Sequence, residues 1–195
     1  RCRRRWVIAK LTDISQERML AERLEQQART DALTGLLNRA GLEEAVRLRV
    51  ENAPDKSCAI ALLDIDDFKE VNDFYGHDVG DDVLRTLANF LRAHFRGTDI
   101  VGRLGGEEFA VLLYENMPLV ELEVELRHLL EQVGKVSWDG YRLSCSIGVL
   151  PIRSLYAPEE LYRDADRLLY VAKARGRNQY VIGEASSPVA QFTAL

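Results

Sequence analysis

Residues 30–183 are expected to fold as one α+β domain of the ferredoxin-like, palm type, with a central antiparallel sheet and helices on one face. Three observations carry that expectation. Strand and helix periodicities succeed one another as strand, helices, strand-turn-strand, helix, strand, helix, close to the split β-α-β order. Cys58-Ala-Ile-Ala-Leu-Leu63 is an unbroken apolar run of strand length. Leu104-Gly105-Gly106-Glu107-Glu108 stands between two short apolar runs and has the glycines of a hairpin turn.

Residues 1–14 are basic and then apolar (Trp6-Val7-Ile8-Ala9), which fits either an edge strand of a preceding domain or a solvated tail. Residues 15–29 hold no glycine or proline and are rich in strong helix formers. Leu20, Leu24 and Ala28 form a narrow apolar stripe on this charged helix, so it needs a partner: its own domain or a second copy. Gly41–Glu51 is amphipathic helix, and Cys58–Leu63 is a buried strand ending at Asp64. Val83, Leu84, Leu87, Phe90 and Leu91 have helical spacing up to His94, with Gly76 and Gly80 expected to form a tight link into that helix. Asp99–Arg103 and Phe109–Leu113 are the hairpin strands. Pro118 opens a helix to about Val133, Tyr141–Val149 alternates as a strand, and Pro158 opens a last helix stopped by Gly176. Residues 184–195 lack periodicity and are expected to fray.

Charge and composition exclude several classes. The longest apolar run is too short to cross a bilayer, so no membrane contact is expected from this segment. Residue 1 reads as a cut end, which leaves an anchor upstream open. A net charge of −5 argues against a nucleic acid polymer as partner, which would need a broad basic face. It leaves room for a nucleotide enzyme, because a few local cations and a metal can hold a triphosphate. Cys2, Cys58 and Cys145 show no C-x-x-C spacing and no neighbouring histidine, so neither zinc ligation nor a disulfide is expected of them. Cys58 and Cys145 read as small hydrophobes, and a reducing cytoplasm is the expected setting.

The chemistry is carried by carboxylates. In Leu62-Leu63-Asp64-Ile65-Asp66-Asp67-Phe68-Lys69, Asp66 or Asp67 is expected to cap the next helix. Asp64 is still on the strand, where capping does not explain it and a hard divalent cation would. Glu107 and Glu108 follow two glycines able to take positive φ and let the backbone approach a ligand. If the two strands are neighbours, Asp64 and Glu107 meet at one sheet edge, and two carboxylates with phosphate oxygens are a usual Mg²⁺ set. Asn72 and Asp81 have the donors and acceptors to read a guanine edge, but both are also ordinary turn residues.

Five blocks, Asp31–Arg39, Asp64–Lys69, Asn72–Asp81, Arg103–Phe109 and Ala165–Asn178, resemble the GGDEF domain of diguanylate cyclases in order, over roughly residues 28–183. The resemblance implies condensation of two GTP into cyclic di-GMP and two pyrophosphates, with Mg²⁺ or Mn²⁺, by a homodimer whose two sites face each other. Carried over, it implies that Asp64 and Glu107 bind metal, with the Ile65 carbonyl completing the site. Glu108 is a second acidic group at the metal or the base for the attacking hydroxyl. Asn72 and Asp81 bind guanine, and Phe68, Lys69, Lys173 and Arg177 surround the triphosphate. His77 also belongs to the GTP site, and Gly105 and Gly106 leave room for ribose and phosphate. Glu107 stands where the family name has Asp.

Arg96-Gly-Thr-Asp99 matches the family's product-inhibition motif in its offset from Gly105, and Arg127 falls where the family supplies a further arginine to that site. Trp6–Ile14 is similar to the last strand and exit linker of a PAS sensor domain. The resemblance therefore divides the chain into a sensor remnant (1–14), a stalk helix (15–29), the cyclase domain (30–183) and a tail (184–195). Competing readings are a degenerate module that senses GTP or cyclic di-GMP without turnover, a cyclase with relaxed base choice, and a structural protein. Retained Asp64, Lys69, Asp81 and Glu107 argue against each in turn.

Overall fold

β1 (Cys58–Ile65) is apolar at nearly every position, so both of its faces must be covered. In the structure, a computed structural model describing residues 18–20, 28–52, 58–114, 118–138, 141–152 and 158–183, β1 is the central strand of five. The order is β2 (Ile100–Gly105), β3 (Glu108–Tyr114), β1, β6 (Cys145–Ile152), β7 (Tyr180–Ile182). β4 (Ser137–Trp138) and β5 (Tyr141–Arg142) form a separate small hairpin. Ala59, Ala61, Leu63 and Ile65 face a core shared with α2 (Phe68–Tyr75), α3 (His77–His94) and α4 (Leu119–Val133). Ile60 and Leu62, of opposite parity, pack with Leu42 and Val46 of α1 (Arg39–Asn52) and with Leu161, Ala165, Leu168 and Leu169 of α5 (Pro158–Ala174).

The α+β class and the strand neighbours agree with the sequence reading, and four details correct it. Helices cover both faces rather than one, because period-two side chains from an all-apolar strand fill two cores. The sheet is mixed, since β7 joins β6 in parallel. Gly80 sits buried within the first turns of α3, so Gly76 alone (φ 88°) makes the break before that helix. The stretch expected as one strand from Tyr141 is split, with β6 starting only at Cys145.

Arg18, Met19, Leu20, Ala28 and Arg29 are helical. Leu24, the Trp6 segment and the C-terminal tail lie outside the described residues. Among the described residues no helix is long and apolar enough to cross a membrane. Cys58 and Cys145 are free thiols. Burial pushes the Cys58 thiol up to about 11, consistent with a packed rather than a reactive group.

α5 lies directly on β6 at Gly148. A Cβ there would come within 2.2 Å of the Leu169 backbone nitrogen and 2.5 Å of the Ala165 carbonyl oxygen. Gly148→Ala must therefore push α5 off the sheet, and a loss of about 2–3 kcal/mol in urea denaturation is expected from such overpacking. An unchanged midpoint would contradict this packing.

Candidate active site

Strand register brings Asp64 and the Glu107–Glu108 pair to the same end of the sheet. β1 and β3 are antiparallel with Asp64 opposite Glu108, and the Ile65 N–H donates to the Glu107 carbonyl at 3.3 Å. Asp64 shares the parity of Ile60 and Leu62, so it faces α5, where Lys173 Nζ lies 2.8 Å from its Oδ2. The carboxylate is 5% exposed. Burial is the main influence raising it above the usual carboxylate range. Lys173 pulls it back, and the charges of Glu107 and Glu108 add to the rise. Asp64, Glu107 and Glu108 stand at one sheet end and offer oxygen donors, the type that suits a hard cation such as Mg²⁺ or Mn²⁺, which takes one or two carboxylates and keeps water and phosphate oxygens.

The turn between β2 and β3 holds Gly105 (φ 147°) and Gly106 (φ 50°), beside a bulge after Arg103. Nothing lies within 4 Å of a Cβ built on either glycine, so the turn is open above the carboxylates. Arg103 braces it from below: its Nε donates to the Gly106 carbonyl at 2.9 Å and its guanidinium reaches Asp31 Oδ1 at 3.0 Å. The Thr34 hydroxyl and N–H donate to the same Asp31 oxygen. Burial tends to raise the Asp31 carboxyl, but these bonds and Arg103 outweigh it and hold it below its ordinary range. The Asp31–Arg39 block is thus a strut for the glycine turn, a role that spacing alone did not disclose.

Asn72 on α2 lies against Gly80 of α3, the residue before Asp81, across the Gly76 break. Gly80 permits that approach: a Cβ there would fall 2.0 Å from Asn72 Oδ1 and 3.2 Å from the Phe68 ring. The Phe68 side chain is buried in the core. Lys69 and His77 are exposed at the starts of their helices.

Neither Asp66 nor Asp67 caps α2 through its side chain. Asp66 is buried and accepts hydrogen bonds from Ser144 Oγ (2.8 Å), Ser146 Oγ (2.7 Å) and the Asn178 N–H (3.0 Å). Among the described residues the non-glycine residues with positive φ are Asp67 (53°), Arg177 (63°) and Asn178 (47°), and all lie here. Arg177 Nε is 3.4 Å from Asp67 Oδ1. Two strained turns held together beside Lys173 are the kind of feature found at ligand clamps. A sequence signal for it existed only in the Ser-x-Ser pattern at 144–146, whose Ser146 lies opposite Asp64 in register.

Arg96 and Asp99 form a turn of their own: the Arg96 N–H donates to Asp99 Oδ2 at 3.0 Å and the Asp99 N–H to the Arg96 carbonyl at 2.9 Å. They line a cavity of about 310 Å³ with Thr30, Leu36, Arg92 and Phe95, away from the carboxylates. Arg127 is exposed on α4.

The family model described as diguanylate cyclase, GGDEF domain, matches residues 28–179. The chain belongs to the GGDEF-domain family. Diguanylate cyclase DgcS of Shewanella oneidensis is 37% identical over 164 residues, 83% of this chain and 55% of that protein. Cyclic di-GMP phosphodiesterase PdeR of Escherichia coli is 32% identical over 186 residues, 91% of this chain and 27% of that protein. This GGDEF chain thus spans about half the length of one relative and about a quarter of the other. The solved coiled coil and GGDEF domain of DgcB from Caulobacter crescentus, in complex with c-di-GMP, superposes with a TM-score of 0.83 at 25% identity, covering 91% of this chain and 97% of that one.

Proposed function

We propose that this GGDEF domain is a diguanylate cyclase that condenses two GTP into cyclic di-GMP and two pyrophosphates, working as a homodimer under product inhibition. The observation that carries the reading is the buried Asp64, opposite Glu108 and 2.8 Å from Lys173, beneath the open Gly105–Gly106 turn. Asp64 and Glu107, with the Ile65 carbonyl, would hold Mg²⁺ or Mn²⁺, which when bound acidifies the ribose 3′-hydroxyl and offsets charge at the α-phosphate. Asn72 accepts and donates along one side of guanine while Asp81 accepts from N1–H and the 2-amino group. Lys69, Lys173 and Arg177 hold the phosphates, with the Gly105–Gly106 turn close to ribose and phosphate and His77 at the rim. Glu108, opposite Asp64 in register, takes the 3′-hydroxyl proton as that oxygen bonds to the α-phosphorus of the second GTP and pyrophosphate leaves. One domain holds one GTP, so two domains must face each other, and the helix of residues 15–29 is the natural element to pair them.

The test is direct: incubate the chain with GTP and Mg²⁺, quantify cyclic di-GMP, and repeat across a dilution series. Product with specific activity rising with enzyme concentration supports a dimeric cyclase. GTP binding without product would favour the second reading, a nucleotide sensor, which the phosphodiesterase among the relatives keeps in play. Gly80→Ala is expected to displace Asn72 and raise KM for GTP roughly tenfold, the scale of one lost or misplaced polar contact, with a smaller change in kcat. Unaltered steady-state kinetics would remove Asn72 from the guanine site. Arg96→Ala should relieve product inhibition several-fold and leave the initial rate alone, since an arginine fork that pairs with phosphate or guanine is lost. An unchanged inhibition curve would sink the assignment of Arg96, Asp99 and Arg127.

A further inference from the structure

A second cluster, remote in sequence from the carboxylates, has ligand chemistry of its own. Glu125 and His128 lie one turn apart on α4 and so share a face, and His94, the last residue of α3, meets them from the neighbouring helix. One ligand atom from each lies within 4.8 Å of the other two, the one such His, Cys, Asp and Glu triad among the described residues. The His94 side chain is 7% exposed, and its Nε2 has no hydrogen-bond partner. Glu125 Oε2 is 3.3 Å from that nitrogen without the alignment of a hydrogen bond. Phe90 stacks on the His94 ring at 5.4 Å and Phe95 meets it edge-on at 4.9 Å, which fixes the ring with that nitrogen toward α4. The His128 ring is 5.3 Å away. Core packing explains a ring between Phe90 and Phe95, but a phenyl ring would serve for that. It does not explain a buried, unpaired nitrogen beside a second imidazole and a carboxylate.

We propose that His94, Glu125 and His128 bind Zn²⁺ and thereby clamp α3 to α4. Two imidazoles and one carboxylate are a zinc donor set that leaves a fourth position for water. Metal–ligand bonds of about 2.0–2.2 Å place tetrahedral ligands roughly 3.3–3.6 Å apart, so the cluster has to contract by about 1 Å. Half-exposed Glu125 and exposed His128 have that freedom, while His94 is already seated. The Gln132 amide nitrogen stands 2.8 Å from His128 Nε2, and turning that amide presents Oε1 to the Nε2–H of a His128 that binds the metal through Nδ1. The carboxylates around Asp64 offer oxygen only and suit Mg²⁺, so the two sites select different ions.

The experiment uses the full chain carrying Asp64→Asn and Glu107→Gln, so that the oxygen site does not compete, and titrates Zn²⁺ against a chromophoric chelator. One tight Zn²⁺ per chain is expected, weakened at least tenfold by His94→Phe and by His128→Asn, and unaffected by Cys2→Ser. Co²⁺ in place of Zn²⁺ should give visible tetrahedral absorption that either histidine substitution removes. His94→Phe keeps a ring in the Phe90–Phe95 niche, so its metal-free melting temperature should match the parent, while Zn²⁺ should raise the parent's melting temperature alone. No binding at micromolar free Zn²⁺, or equal affinity in His94→Phe and His128→Asn, would overturn the site.

Discussion

Asp64→Asn is expected to cut cyclase turnover by at least about 10²–10³-fold, the scale for removing one preorganised charge contact, while raising the melting temperature of the metal-free protein. The first half follows from position: Asp64 faces Glu108 in register and is the buried member of the acidic group. The second half follows from its cost. Burial, opposed by Lys173 and reinforced by Glu107 and Glu108, holds the folded carboxyl above its unfolded range. The penalty for the charged form is therefore absent below the unfolded pKa of about 3.9 and grows as pH rises through the folded one. Asparagine keeps the shape without the charge, and Lys173, about a third exposed, can turn to water. Glu107→Gln, half-exposed, should lose activity on the same scale with little change in melting. Calorimetry at pH 7 and at pH 4 checks the stability claim, because the advantage of Asp64→Asn should shrink on acidification. Adding Mg²⁺ and GTP should reverse the ranking, since ligands that bind only the folded wild-type protein stabilise it. Near-normal turnover in either variant would remove it from the metal site.

How much of this was legible in the sequence depended on how local each signal was. β1 was readable because its apolar residues are contiguous, and the β2–β3 turn because Gly105 and Gly106 announce it. The second helical layer was not, since the same apolar run serves one covered face or two. β7 escaped because three residues after a strained turn carry no periodicity, and its pairing with β6 is contributed by distant residues. At the site, the resemblance named Asp64, Glu107, Asn72 and Lys173, but the supports of these residues were hidden. Asp31 and Arg103 are 72 residues apart, and Asp66 bonds to Ser144, Ser146 and Asn178 across 78 to 112 residues. Asp66 looked like a helix cap for a good local reason: it precedes an amphipathic turn. Tertiary hydrogen bonds took it instead.

That substitution of roles makes Asp66 the place of the second large effect. Asp66→Ala leaves the hydroxyls of Ser144 and Ser146 and the Asn178 N–H without their acceptor. Ser146 is fully buried, so water cannot readily replace it. Loss of a buried carboxylate that accepts three hydrogen bonds is expected to cost about 3–5 kcal/mol, as for breaking a buried charged contact from one side. The damage should reach function without unfolding the domain. Arg177 and Asn178 sit at φ 63° and 47°, conformations that cost energy and persist only while something holds them, and the Asn178 N–H to Asp66 bond is a tether on that turn. Released, the turn should relax and withdraw Arg177 from Asp67, so kcat/KM for GTP should fall even at temperatures where the variant stays folded. Asp66→Asn is the control: with its oxygen where Oδ2 stands it still accepts from Ser144 and the Asn178 N–H, and its amide can donate to the Ser146 hydroxyl. It should therefore recover much of the stability and of the activity. Urea denaturation together with steady-state kinetics on both variants tests this, and Asp66→Ala with wild-type stability and kcat/KM would show that the two strained turns are held by something else.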